Sequence, residues 1–269
     1  LRHVDPMQET QIETGALSGN VLFYSKPEPL NPQLHGNLGV VRMEKPYAFV
    51  GQSHVVPVTV AEFPAASLSY PIVFVGDQKS PVVAMGLNQG QNLYVSETGD
   101  FRADAYLPAF VRRYPFVFAN DEGAQRMILC VDRGAPFVSE TPDVAFFENG
   151  QPSDYVKNAM QFCNDFEVER RRTEQFVKLL TDNDLLTVRE TVFTPTNPDG
   201  TQGQPQKIAE YYAVDEQKLN ALPADKLTEL RDNGALAHIY AHLISLLGWD
   251  RLIALQFERN ARQPAAANA

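Results

Sequence analysis

Cysteine is scarce in this sequence, since Cys130 and Cys163 are the only two among 269 residues. Two cysteines cannot form the multi-disulfide framework of a small secreted domain, and these two are too far apart for a CxxC zinc or redox motif. A single disulfide between them stays open as an alternative. Because Cys130 lies in an apolar run, where a packed thiol is the usual state, we expect two buried free thiols.

Long apolar runs are also missing. The longest candidate, around residues 243–247, is interrupted by Ser245 and ends at Gly248, far short of the roughly 20 residues that a membrane span needs. Residues 1–6 lack the apolar stretch of a secretory signal peptide. We therefore predict no membrane span and expect a cytoplasmic protein. The sequence does not begin with Met, so earlier removal of a targeting segment stays open.

Basic residues are outnumbered, with 23 Lys and Arg against 33 Asp and Glu, a formal charge of -10. Such a surface repels phosphate backbones, so we predict no nucleic-acid partner. The sequence also lacks the glycine-rich phosphate motifs GxxxxGK[ST] and GxGxxG, and no cofactor is predicted. The content of hydrophobic residues, 44%, and of charged residues, 21%, is that of an ordinary folded globular protein.

Proline is unevenly distributed, because 14 of the 19 prolines lie at or before Pro152. Proline breaks helix interiors but is tolerated in turns and at strand edges. The predicted fold class is therefore α+β. We expect a β-rich part at 1–152, a helical part with one β-hairpin packed on it at 153–263, and a tail at 264–269. The parts are expected to form one continuous globular unit.

Short runs of β-branched or aromatic residues, flanked by turn residues, predict six strands in the first part. These runs are 54–60, 70–75, 81–85, 92–95, 114–118 and 126–131. Beyond Pro152, Ser153 is a favourable N-cap, and helical spacing predicts one long helix, or two joined by a kink, to about residue 183. The remaining predicted elements are strands at 185–194 and 207–214 around an exposed tip at 197–205, short helices beginning at 215 and 223, and a final helix at 235–262.

A repeat recurs at an offset of 44 residues. Pro64-Ala65 and Tyr70-Pro71 are separated by four residues, as are Pro108-Ala109 and Tyr114-Pro115, and each Tyr-Pro pair begins an apolar run. One interpretation is a duplicated unit in a pseudo-symmetric barrel or sandwich, with a site between the halves. The alternative is chance, because Tyr-Pro is a good start for an edge strand.

His238 and His242 are the sharpest candidates for a metal site. At i and i+4 on a helix, both imidazoles point to one side. A zinc protease would need Glu directly after the first histidine, where Ile239 stands, and no third ligand is apparent nearby. Since the same helix carries an apolar stripe, we favour two histidines at the margin of a buried helix over a metal centre.

Arg112 and Arg113 directly precede the second Tyr-Pro pair and follow an apolar turn. Two adjacent guanidinium groups can hold a carboxylate of a small ligand or of another protein. The favoured alternative is an intramolecular ion pair with one of three acids. Those acids are Asp100, Asp104 and Asp132, and the candidate binding residues are Tyr70, Arg112, Arg113 and Tyr114.

Several motifs follow one another at a characteristic spacing. They are Glu62-Phe63-Pro64, Tyr70-Pro71-Ile72-Val73-Phe74, Gly86-Leu87, Asn92-Leu93-Tyr94-Val95 and Arg112-Arg113-Tyr114-Pro115-Phe116. In order and spacing they resemble the bacterial SapC family, which is named after a surface-layer locus and is distinct from the peptide-transport permease of the same name. The resemblance runs from about His54 to Leu255. It departs from the family pattern at Phe101, where Trp is expected.

The resemblance implies an accessory or binding role in a bacterial surface-related, uptake or modification system. Family members are often encoded near halogenase-like proteins, cupin-like hydroxylases and outer-membrane receptors, which are the partners that it implies. No catalytic residue carries over from the family, and we favour a non-catalytic protein. Two alternatives stay open: an enzyme acting on a peptide or carbohydrate, metal-assisted through His238 and His242, and a structural surface-layer component.

Overall fold

The computed structural model describes residues 21–121, 126–195 and 200–262. The first 20 residues, residues 197–199 of the expected hairpin tip, and the expected tail at 264–269 lie outside the described residues. About 38% of the structure is helix and 24% is strand, with antiparallel sheets in the N-terminal part and helices at the C-terminus. The predicted α+β class is confirmed.

The described residues contain thirteen strands: β1 Pro27–Pro29, β2 Gly39–Val40, β3 Val55–Pro57, β4 Ile72–Val75, β5 Ser80–Ala84, β6 Phe116–Asp121, β7 Arg126–Asp132, β8 Val138–Ser139, β9 Val144–Ala145, β10 Phe147–Glu148, β11 Gln151–Pro152, β12 Leu186–Phe193 and β13 Gln206–Val214. The same residues contain eight α-helices: α1 Pro32–His35, α2 Phe63–Ala66, α3 Ala109–Arg112, α4 Asp154–Asp182, α5 Glu216–Asn220, α6 Ala224–Asp232, α7 Ala235–Ser245 and α8 Gly248–Arg262. Single 3-10 turns lie at Ala48–Val50 and Val60–Glu62.

The largest sheet has five antiparallel strands in the order β12-β13-β4-β5-β3. Strand β13 joins β4 at the pair Tyr212 and Phe74, so the hairpin predicted in the second part of the chain extends a sheet of the first part. One hydrophobic core contains Phe74 of β4, Leu180 of α4 and Leu252 of α8. Burial of apolar side chains thus links the two sequence parts.

Three smaller sheets complete the β structure, in the orders β1-β7-β6, β8-β2-β9 and β10-β11. Five of the six strands predicted in the first part are present in shorter or shifted form, but the strand predicted at 92–95 is wrong. That segment makes only an isolated bridge between Val95 and Phe101. The side chain of Asn92 holds it instead, by donating to the carbonyls of Val50 and Ser53. Strands β1, β2 and β8 to β11, of two or three residues each, were not predicted because they are too short to show a period.

Helix α4 is a single helix of 29 residues and begins where the sequence predicts. The Ser153 hydroxyl accepts from the backbone N–H of Val156 at 3.5 Å, as expected of an N-cap. Further along, the Thr173 hydroxyl accepts from the N–H of Val60 at 2.8 Å. This bond ties α4 to the 3-10 turn that carries Glu62.

The single final helix predicted at 235–262 is wrong, because α7 and α8 are separate helices. At the start of α8, a Cβ atom on Gly248 would lie 3.1 Å from the backbone nitrogen of Pro71 and 3.2 Å from the carbonyl carbon of Tyr70. The absence of a side chain at Gly248 allows this close approach. A helical pattern of leucines cannot show such a tertiary contact.

Both copies of the repeat contain a helical turn, a Tyr-Pro pair and an antiparallel hairpin in the same order, but the Tyr114-Pro115 peptide bond is cis, whereas the Tyr70-Pro71 bond is trans. Helix α2 precedes β4 and β5, and α3 precedes β6 and β7. The Pro71 carbonyl accepts from the N–H of Ala84, and the Pro115 carbonyl accepts from the N–H of Asp132. The two hairpins belong to different sheets, and the tyrosine of each pair is buried in a different core cluster.

Candidate functional site

The four candidate binding residues do not share one surface. Arg112 is exposed at the end of α3, whereas Tyr70, Arg113 and Tyr114 are buried. Adjacent residues on a helical turn point about 100° apart, which separates the two arginines. Arg112 is therefore the member of the set that can meet a partner directly.

The Arg112 guanidinium is held by neutral groups. Its Nε donates to the carbonyl of Leu107 at 3.1 Å, and its Nη2 donates to the hydroxyl of Tyr106 at 3.1 Å. It also lies 5.2 Å from the ring centroid of Phe162 and 5.9 Å from that of Tyr106, within the range of cation–π contacts. We call these three residues, Tyr106, Arg112 and Phe162, the Arg112 surface.

Asp104, an exposed acid in the same loop, is held elsewhere. Its carboxylate accepts two hydrogen bonds from Arg102, at 3.1 and 3.2 Å, and one from Arg251 at 3.0 Å. The ion pair expected between Arg112 or Arg113 and Asp100, Asp104 or Asp132 is absent from the contacts of the described residues, and Arg113 lies near Glu167 instead. Arg112 thus presents a positive charge whose two hydrogen-bond acceptors are both uncharged.

A buried carboxylate lies beneath the Arg112 surface. The Oε1 atom of Glu62 accepts from the Tyr106 hydroxyl at 3.0 Å and from the N–H of Ala109 at 2.6 Å. Its Oε2 atom accepts from the N–H and the hydroxyl of Thr59, both at 2.8 Å. Burial raises the pKa of Tyr106 to about 12, so its hydroxyl stays protonated and donates to Glu62. Four donors hold the carboxylate in place, and it in turn orients Tyr106.

Tyr70 supports the same loop from inside the core. Its hydroxyl donates to the carbonyl of Tyr106 at 2.5 Å, and burial raises the pKa of Tyr70. The hydroxyl of Ser69 accepts from the N–H of Tyr106 at 3.0 Å. Both backbone polar groups of Tyr106 are therefore bound by the segment that precedes β4.

Arg113 is enclosed between aromatic rings. Its guanidinium carbon lies 4.2 Å from the ring centroid of Phe110 and 4.4 Å from that of Phe166, and its Nη1 is 4.0 Å from a carboxylate oxygen of Glu167. Its buried Nε has no hydrogen-bond partner among the described residues. These contacts join α3 to α4 and give Arg113 a structural position.

Tyr114 binds a fully buried carboxylate. Its hydroxyl donates to Asp132 at 2.9 Å, and burial raises the pKa of Tyr114. Asp132 also accepts from the N–H groups of Ser25, Lys26 and Gly134 and from the Ser25 hydroxyl. This carboxylate, which we expected to pair with an arginine, instead connects the start of the described chain to β7.

Each ring nitrogen of His242 has a backbone partner. Its Nδ1 lies 2.9 Å from the Ile72 carbonyl and so carries the proton, while its Nε2 accepts from the N–H of Val214 at 3.0 Å. Burial lowers the pKa of His242 to about 4. No lone pair remains for a metal in this arrangement, and α7 is instead connected to β4 and β13.

His238 is only half-buried, and its Nδ1 has no partner among the described residues. Its ring lies 6.4 Å from that of Phe63 and 6.0 Å from that of Phe176. Across residues 21–121, 126–195 and 200–262, no group of three or more His, Cys, Asp or Glu side chains is placed to hold a metal ion. The expected free thiols are confirmed, since Cys130 and Cys163 are both buried and unpaired.

Sequence reasoning missed Tyr106, Phe162 and Glu62. Thr59-Val60-Ala61-Glu62 has the spacing of a capping box, and the structure contains both reciprocal bonds of that motif. That signal could have identified Glu62 as a buried carboxylate. Phe162 lies 50 residues beyond Arg112 in the chain, and no local pattern connects the two residues.

Comparisons with known proteins give one match. No curated protein and no solved structure matches the chain. None of the described helices has the length and apolar character needed to cross a bilayer. The family model of SapC matches residues 30–252, which is most of the chain. The chain belongs to the SapC family.

Proposed function

We propose that this protein is a non-catalytic accessory protein that captures a partner through the Arg112 surface. The observation that carries the proposal is the exposed guanidinium of Arg112, which two neutral acceptors and two aromatic rings hold in place. A guanidinium fixed in this way loses little conformational freedom when it binds a carboxylate. Arginine and tyrosine are also enriched among residues that dominate binding energies at interfaces.

The shape of the described surface supports an exposed binding site. A cavity of about 20 Å³, lined in part by His54, Tyr211 and Trp249, has room for about one water molecule. A second depression of about 280 Å³ is open and polar, and lies beside α1. Pockets that enclose drug-sized ligands are typically about 300–1,000 Å³ and mostly apolar. Neither depression has that form, which favours recognition on the surface.

The partner in this proposal is another protein or a small ligand with a carboxylate. The proposed setting is a bacterial surface-related, uptake or modification system. Halogenase-like proteins, cupin-like proteins and outer-membrane receptors are the first partners to test. In this role Tyr70 positions Tyr106, while Arg113 and Tyr114 stabilise the fold behind the surface.

The test is co-purification from the source cell with wild-type protein, the Arg112→Gln variant and the Arg171→Gln control. Arg171 is also exposed but lies nine residues after Phe162 on α4, a spacing that places it on the opposite side of that helix. We expect a specific partner to be retained by wild type and Arg171→Gln and lost with Arg112→Gln. Equal retention by all three proteins would contradict the proposal.

A further inference from the structure

Two segments without charged residues meet beside the Arg112 surface. Residues 63–75 and 234–249 contain no Asp, Glu, Lys or Arg, although 21% of the chain is charged. Helices α2 and α7 of these segments pack against each other. The Ser245 hydroxyl accepts from the N–H of Ile72 at 2.9 Å, and Gly248 touches the Tyr70–Pro71 backbone. The two segments therefore pack against each other.

Four large apolar side chains project from these segments into solvent. The exposed fractions are 79% for Leu68, 42% for Tyr240, 58% for Ile244 and 77% for Leu247. Tyr240 and Ile244 lie one turn apart on α7, and Leu247 follows in the turn between α7 and α8. We call these four residues the α7 face. Scattered exposed leucines are ordinary, but a contiguous apolar group without charges marks an interaction site.

Ser69 and Tyr106 connect the α7 face to the Arg112 surface. Leu68 immediately precedes Ser69, whose hydroxyl accepts from the N–H of Tyr106. The Tyr106 hydroxyl in turn accepts from Arg112. These two bonds therefore connect the residue after Leu68 to the guanidinium of Arg112. Glu62, the acid beneath Tyr106, directs both oxygens at neutral donors and leaves Arg112 available to an external carboxylate.

We infer that the α7 face and the Arg112 surface together bind a short peptide segment that carries apolar side chains beside an acidic one. This inference rests on the proposed function and specifies the chemistry of its partner. The apolar side chains of the segment cover Leu68, Ile244 and Leu247, and its carboxylate binds Arg112. Charge complementarity selects the acid, because Arg112 has two uncharged hydrogen-bond acceptors, whereas Arg251, a second cation of this region, pairs with Asp104.

The size of the α7 face favours a segment over a second copy of the chain. A stable dimer interface uses roughly 20–30 residues from each partner. Four exposed side chains and a guanidinium correspond instead to the few anchors by which a short peptide is recognised.

The test is selection of displayed random dodecapeptides on the immobilised full-length protein. We expect enrichment of sequences with Leu, Ile, Phe or Met close to Asp or Glu.

The double variant Ile244→Ser, Leu247→Ser should bind a selected peptide at least tenfold more weakly than wild type. The Arg112→Gln variant should lose the preference for the acidic peptide over its amide analogue. Val188→Ser with Val192→Ser, which removes two similarly exposed apolar side chains on β12, is the matched control and should bind normally.

Several outcomes would overturn the inference. They are an absence of enrichment, unchanged binding by the Ile244→Ser, Leu247→Ser variant, and a preference for acids that persists in Arg112→Gln. A dimer in sedimentation that the Ile244→Ser, Leu247→Ser variant lacks would assign the face to a second copy. Binding of neutral phosphatidylcholine vesicles by wild type but not by the Ile244→Ser, Leu247→Ser variant would assign the α7 face to a lipid surface. Cellular capture that requires Arg112 but tolerates Ile244→Ser, Leu247→Ser would contradict only this inference and leave the proposed function standing.

Discussion

The buried hydroxyl of Tyr70 donates to the backbone carbonyl of Tyr106, 36 residues further along the chain, at 2.5 Å. This bond connects the start of β4 to the loop that carries the exposed Arg112 surface. Tyr70 therefore belongs to the candidate site through its effect on Tyr106, although it meets no solvent. Through this bond a core residue positions the backbone of Tyr106, a residue of the Arg112 surface.

Replacing Tyr70 with Phe should weaken partner capture without removing any atom from the surface. The change leaves the part-buried Tyr106 carbonyl without its partner, which costs about 1 kcal/mol of unfolding free energy. Tyr24→Phe is the matched control, because the Tyr24 hydroxyl donates to the Phe116 carbonyl at the same distance, 2.5 Å, in another core cluster. We expect similar losses of stability in urea, with capture reduced only by Tyr70→Phe. Equal capture by both variants would remove Tyr70 from the site.

Asp132 should be among the residues most sensitive to substitution. Its carboxylate is fully buried and accepts hydrogen bonds from four residues. Asp132→Asn turns an acceptor atom into a donor facing other donors, and should cost about 3 kcal/mol of unfolding free energy. Asp143→Asn, at an exposed carboxylate that accepts from the N–H of Arg42, should cost less than about 1 kcal/mol. Comparable midpoints for the two variants in urea unfolding would contradict this account.

His242 should make the protein less stable in mild acid. Its pKa is about 4 in the fold, against 6.5 ordinarily, because the buried imidazole resists protonation. Between those pH values the unfolded chain binds the additional proton, so stability falls as the pH decreases from 6.5 towards 4 and is unaffected above 6.5. The contribution of this residue amounts to about 3 kcal/mol.

Urea unfolding at several pH values checks the role of His242. The His242→Asn variant should be less stable than wild type at pH 7 and show a smaller further loss in acid. His238→Ala, one turn earlier on α7 and only half-buried, should keep most of the wild-type pH dependence. If His238→Ala removed the dependence and His242→Asn kept it, the assignment would be wrong.

Both thiols should be unreactive in the folded protein. Burial raises the pKa of Cys130 to about 11 and that of Cys163 to about 12, so thiolate is rare at neutral pH. A disulfide-exchange reagent should label two thiols per chain in denaturant and react only slowly without it. Rapid labelling of either cysteine under native conditions would contradict their burial.

Local chemistry determined much of the fold. Ser153 begins α4 because its hydroxyl caps the first turn, and β-branched runs flanked by turn residues produced most of the predicted strands. The two Tyr-Pro units likewise each follow a helical turn and precede a hairpin. Such features depend on neighbours a few residues away, which a single sequence displays directly.

Long-range contacts decided which side chains are exposed and where the last predicted helix is interrupted. Arg112 and Arg113 are identical in chemistry and adjacent in sequence, yet one is exposed and the other lies between Phe110 and Phe166. The difference follows from the docking of α4 against α3, which no local pattern encodes. The break before Gly248 has the same origin, since it depends on the backbone of Tyr70 and Pro71.

The sequence by itself determined the fold class and the family resemblance. The tertiary structure decided which side chains remain available to a partner, because burial depends on contacts between residues far apart in the chain.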